Sequence, residues 1–62
     1  MPSVTLGKDG YERTIEYDYV QDKTFVRDEN GETISMMPGD QTNHQRESLE
    51  KNGWEEKSKG GS

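Results

Sequence analysis

The sequence predicts a mainly β protein: a small antiparallel four-stranded meander or partly closed barrel, followed by a short C-terminal helix or flexible polar tail. Three observations predict it. Large side chains recur at every second position from Tyr11 to Tyr19, which is the period of a half-buried strand and not of a helix. Turn-forming clusters rich in Gly, Asn and Asp separate the short apolar runs. Beyond residue 41 the only large apolar residues are Leu49 and Trp54, so whatever core exists is built mainly by the first part of the chain.

Ser3 to Leu6 reads as the first strand, and Gly7-Lys8-Asp9-Gly10 supplies the positive-φ positions that a tight hairpin connection needs. The second strand alternates Tyr11, Arg13, Ile15, Tyr17 and Tyr19 with Glu12, Thr14, Glu16 and Asp18. Gln21-Asp22-Lys23 forms a three-residue loop into a third strand, Thr24 to Arg27. Asp28-Glu29-Asn30-Gly31 is the next turn, Glu32 to Met36 the fourth strand, and Pro38-Gly39-Asp40 ends it.

Those loop lengths fix a register, and an error of one residue would send each side chain to the opposite face. Four loop residues set Leu6 opposite Tyr11, three set Tyr19 opposite Phe25, and the third turn sets Phe25 opposite Ile34. One apolar face results, holding Val4, Leu6, Tyr11, Ile15, Tyr17, Tyr19, Phe25, Ile34 and Met36, with Arg13, Arg27 and Glu32 among them. Val20 and Val26 fall on the polar face. Tyr19 and Phe25 are thereby expected to be core anchors.

Thr42-Asn43-His44-Gln45 fits a capping box with Thr42 as N-cap, and Asn52-Gly53 is a fitting helix stop. A helix of about nine residues is too short to persist alone and has to dock or fray. The chain thus divides into a β domain at residues 1–41 and a polar segment at 42–62, where Lys59-Gly60-Gly61-Ser62 has the composition of an appended flexible linker. Residues 1–41 carry nine acids against four bases, while 42–62 carry four of each.

The 62 residues contain 13 Asp and Glu against 8 Lys and Arg, no Cys, and only 24% hydrophobic residues. The length allows one domain, and missing cysteine removes disulfides, thiolate zinc and redox chemistry. No apolar run matches a membrane helix, and Met1 to Gly7 lacks the features of a signal peptide, so the cytoplasm is the expected compartment.

No catalytic constellation emerges. His44 is the only histidine and has no second ligand type beside it, which makes it a solvated surface residue. Ser48 has no basic partner in the sequence pattern. Asp28 to Glu32 lacks the ligand alternation of a calcium loop and reads as a hairpin turn. The Tyr11, Tyr17, Tyr19 and Phe25 cluster could stack nucleobases, but a domain with this excess of acids repels phosphate. No enzymatic activity, metal, cofactor, small-molecule ligand, membrane or direct nucleic-acid partner is therefore expected.

What remains is a small acidic protein-interaction module whose apolar sheet face or C-terminal segment engages another protein or a second copy in a homodimer. Tyr11, Arg13, Tyr17, Arg27, Leu49 and Trp54 are the expected partner-binding residues. The alternative is an acidic, nucleic-acid-mimicking inhibitor of phage type that occupies a basic cleft, suggested by Glu12, Glu16 and Asp18 on one strand face.

Overall fold

In a computed structural model, which describes residues 3–60 and the side chains through Ser58, the chain forms one antiparallel sheet of five strands crossed by one helix. Met1, Pro2, Gly61 and Ser62 lie outside the described residues. The strands are β1 (Ser3–Lys8), β2 (Tyr11–Asp18), β3 (Lys23–Arg27), β4 (Thr33–Pro38) and β5 (Glu55–Gly60), with α1 (Thr42–Lys51) before the last. Their spatial order is β4-β3-β2-β1-β5. The sheet is open, with β4 and β5 as its edges, and does not close into a barrel.

The first four strands make the meander that the turn chemistry predicts. Asp9 (φ 52°) and Gly10 (φ 85°) form a two-residue turn of the left-handed kind that matches strand twist, so the first loop holds two residues and not the expected four: Lys8 stands opposite Tyr11 and Leu6 opposite Arg13, a shift of two that leaves the facing of β1 unchanged. At the third turn the Asp28 carboxylate accepts the Asn30 and Glu32 N–H groups. Gly31, at φ 80°, donates back to the Asp28 carbonyl.

The second turn departs from the expected register, and this decides which residues are buried. Its loop has four residues and not three, since Asp18 pairs with Lys23. The Asp18 carboxylate collects the N–H groups of Val20 and Gln21, and Asp22 turns the chain at φ 53°. One extra loop residue inverts the facing of everything beyond it relative to β2. Val26 therefore stands opposite Ile15, and Thr24 opposite Tyr17. The single expected apolar face divides in two. Val4, Leu6, Ile15 and Val26 form the buried cluster, while Phe25 lies on the outer side opposite Met36 and not, as expected, opposite Ile34, which the β4 bulge leaves unpaired. Tyr19, expected in the core, sits in the loop and is 69% exposed.

The helix covers the inner face, with Leu49 and Trp54 packed on the core, and the last strand extends the sheet beside β1. Thr24 is fully buried, and its hydroxyl donates to the Gly39 carbonyl while accepting the Gln41 N–H, which pins the chain where it leaves β4. From there α1 crosses over β2, β1 and β5. Gln41, not Thr42, is the N-cap residue, and no side-chain cap bond forms, so the expected capping box is absent. With Gln41 held by Thr24, its carbonyl already accepts from Gln45, and Asp40 accepts the Thr42 N–H.

The C-terminal stop forms as the Asn52-Gly53 pair predicts. Gly53, at φ 92°, donates to the Glu50 carbonyl and Trp54 donates to that of Leu49. This double bond pattern is a Schellman turn, and it brings Leu49 and Trp54 together against the core, beside Met37.

The fifth strand corrects the expected count of four. Its sequence, Glu-Glu-Lys-Ser-Lys-Gly, contains no apolar residue and so no periodicity to detect. It is held by backbone pairing to β1, with Gly7 opposite Glu55 and Ser3 opposite Gly60 across one bulge. Lys59 and Gly60, read from composition as linker, are its last two residues.

Candidate functional site

The six expected partner-binding residues do not share a surface. Arg13 lies on the inner side of β2, its guanidinium 5.1 Å from the Trp54 ring centre and its Nη1 3.3 Å from Glu29. Leu49 and Trp54 pack on the core, as the Schellman turn dictates. Tyr11 is exposed at the β1–β2 end, in the wall of an open cleft of about 390 Å³ with Lys8, Gly53, Glu55 and Lys57. The Lys8 ammonium is directed to the Asn52 carbonyl there, and Lys57 reaches Glu12 at 2.9 Å.

Tyr17 donates its hydroxyl to Asp22 at 2.6 Å, and that bond to a carboxylate pushes its pKa up to about 12. Arg27 is on the outer side, paired with Glu16 and lying over the Phe25 ring at 5.6 Å from its centre. The expectation that Arg13 and Arg27 share a face with Glu32 therefore fails, because the four-residue loop turned β3 over.

The acids of the outer face are engaged within the chain. Glu12 is paired with Lys57 and Glu16 with Arg27. Asp18 holds the second turn, and the Gln21 and Val20 amides it accepts keep its carboxyl below the ordinary value. Among the described residues no three His, Cys, Asp or Glu side chains converge as a metal site would require, and no helix is long and apolar enough to cross a membrane.

A different surface stands out, one that sequence reasoning missed because it had assigned these residues to the core. Ile34 is 50% and Met36 56% exposed, both on β4 at the open edge. Met36 lies opposite Phe25, and Ile34 is the extra residue of a bulge that sets Ser35 against Val26 and Thr33 against Arg27. β4 is also the only described strand without a charged residue. The other edge, β5, carries Glu55, Glu56 and Lys57, the charges by which exposed edges usually repel further strands.

The backbone of β4 presents specific groups outward. Gly39 N–H is bonded to the Asp22 carbonyl of the neighbouring chain segment. Antiparallel ladders alternate inward and outward pairs, so Met37 and Ser35 bond toward β3, while Met36 turns its N–H and carbonyl to the open side. Pro38 occupies an outward position too, where its missing N–H removes no ladder bond.

No protein-family model, curated protein or solved structure matches this chain.

Proposed function

We propose that the protein is a small, acidic, non-enzymatic interaction module of the cytoplasm that engages another protein through the outer, β4 side of its sheet. The observation that carries this reading is the apolar surface of Phe25, Ile34 and Met36 on an uncharged edge strand, while the helix and Trp54 cover the opposite face. A domain with so few large apolar residues leaves two of them in solvent beside an unpaired edge, an arrangement that isolated domains avoid and strand-docking domains use.

The nucleic-acid-mimicking reading finds less support, because Glu12 and Glu16 are neutralised by Lys57 and Arg27 and do not form a stripe of unpaired charge. A photo-crosslinking amino acid at position 36, compared with one at the exposed His44, tests the proposal in extracts of the source cell. Adducts should form from position 36, and excess unmodified protein should compete them away, whereas the Ile34→Glu, Met36→Glu double variant should not. Equal labelling from both positions, or equal competition by both proteins, would refute it.

A further inference from the structure

The fold holds its two Asn-Gly pairs very differently, and we infer that Asn30 is a site of spontaneous covalent modification. In the folded chain it converts through a succinimide to isoaspartate and aspartate, and the isoaspartate loosens the hairpin that presents β4, while Asn52 is kept unreactive.

Only Asn30 and Asn52 precede a glycine, whose missing Cβ leaves its nitrogen unhindered as a nucleophile. The glycine nitrogen loses its proton to hydroxide and attacks the asparagine Cγ. The new N–Cγ bond closes a five-membered ring, and Nδ2 takes up a proton from water and leaves as ammonia. Water then adds to either ring carbonyl, and the ring opens to aspartate or to isoaspartate.

The attack needs a side chain free to swing over the next nitrogen, and a nitrogen free of its own hydrogen bond. At Asn52 both are tied. Its Nδ2 donates to the Ser48 carbonyl at 2.8 Å, its N–H donates to Leu49, its carbonyl accepts from Lys8, and the Gly53 N–H donates to Glu50. With Asn52 at ψ 13°, swinging it out would break the Schellman turn and lift Trp54 from the core.

Asn30 and Gly31 are exposed, and among the described residues nothing bonds the Asn30 side-chain amide. A side chain at Gly31 would meet nothing within 4 Å, so there is room for the ring. One bond has to open, Gly31 N–H to the Asp28 carbonyl at 3.0 Å. Opening an exposed turn costs far less than an opening that uncovers a packed tryptophan.

The product acts on the hairpin. Isoaspartate routes the main chain through Cβ and Cγ, which adds one backbone atom between Asp28 and Glu32. Across that longer loop the Asp28 carboxylate cannot keep both the Asn30 and Glu32 N–H groups together with the 2.9 Å bond from Asp28 N–H to the Glu32 carbonyl. A new negative charge also arrives beside Asp28, Glu29 and Glu32, where like charges repel. The adjoining β3–β4 pairing is already interrupted by the bulge at Val26 and Arg27, so the loosening reaches the start of β4.

The test ages the full chain at physiological pH and temperature, once folded and once unfolded in guanidinium. Trypsin cuts after Arg27, Arg46 and Lys51 and so places the two sites in different peptides. Each conversion raises the peptide mass by about 1 Da, and electron-transfer fragmentation distinguishes isoaspartate from aspartate. In the folded chain Asn30 should convert at least about tenfold faster than Asn52, and in guanidinium the two rates should come within about threefold. In the purified isoaspartyl product the Asp28 and Glu32 amides should exchange with deuterium about tenfold faster than before, while those of Leu6 and Ile15 keep their protection.

Equal rates in the folded chain, or faster conversion of Asn52, would overturn the inference. A preference for Asn30 that persists undiminished in guanidinium would also overturn it, by tracing the selectivity to neighbouring sequence and not to the fold. An isoaspartyl product whose Asp28 and Glu32 amides exchange as before would do the same.

Discussion

Replacing Val26 with Thr separates the observed register from the one that loop lengths alone suggest. The two side chains are nearly isosteric, so the exchange adds a hydroxyl while leaving shape almost constant. On a solvent-facing strand position Thr is as acceptable as Val. Val26, however, is 6% exposed, opposite Ile15, which is 0% exposed, in the cluster with Val4 and Leu6. None of these neighbours carries a polar side-chain atom. Thr24, two residues away on the same face, already donates to Gly39 and accepts from Gln41.

The new hydroxyl would be buried without a strong partner, at a cost of about 1–3 kcal/mol. For a domain of this size about 2 kcal/mol lowers Tm by roughly 8–16 °C, a large part of the ~3–9 kcal/mol that 62 residues ordinarily provide. Trp54 is the only tryptophan and packs against this core, so its fluorescence in a urea titration reports the loss. Tyr19→Ser, at a loop position 69% exposed, should shift the midpoint by no more than about 0.5 kcal/mol equivalent. A Val26→Thr variant of unchanged stability beside a strongly destabilised Tyr19→Ser would refute the reasoning, since that is the pattern of the opposite facing.

Two further outcomes follow from the turns. Gly53→Ala forces a Cβ onto a backbone at φ 92° that closes the Schellman turn, and should cost about 1–2 kcal/mol in thermal unfolding with Trp54 emission shifting toward that of water. Tyr17→Phe should remove the absorbance step near pH 12 from an alkaline titration at 295 nm. Because the folded pKa of Tyr17 is raised, the stability linked to it is complete below its ordinary value of 10.0 and is lost as pH rises toward about 12, so the gap between wild type and variant should close across that interval.

How far the sequence reached is seen most clearly in particular residues. The alternation from Tyr11 to Tyr19, the Asp9-Gly10 and Asn30-Gly31 turns and the Asn52-Gly53 stop are local signals. Each depends on the backbone preference of one or two residues; the helix stop and the Asn30-Gly31 turn formed where expected, the first turn tightened to Asp9-Gly10, and the second strand ended one residue early, at Asp18. The placement of Val4, Leu6 and Ile15 together follows from the first hairpin and is likewise local.

The exposed apolar surface at β4 was not legible, because it depends on whether the second loop holds three residues or four. Both lengths are compatible with Val20-Gln21-Asp22, and the choice rests on the Asp18 carboxylate capping two amides and on which of Val26 and Phe25 better fills the space under Leu49 and Trp54. Capping energies are local, but that competition exists only once the helix is in place.

The amino-acid sequence by itself therefore determined the meander, its turns and the helix stop, since these arise from φ preferences and period. Only the tertiary structure decided which face is core, that Glu55 to Gly60 adds a strand, and that β4 is left open. A strand of charged and small residues has no pattern of its own and forms because β1 offers it unpaired backbone groups, while an edge is open only by virtue of where every other strand has gone.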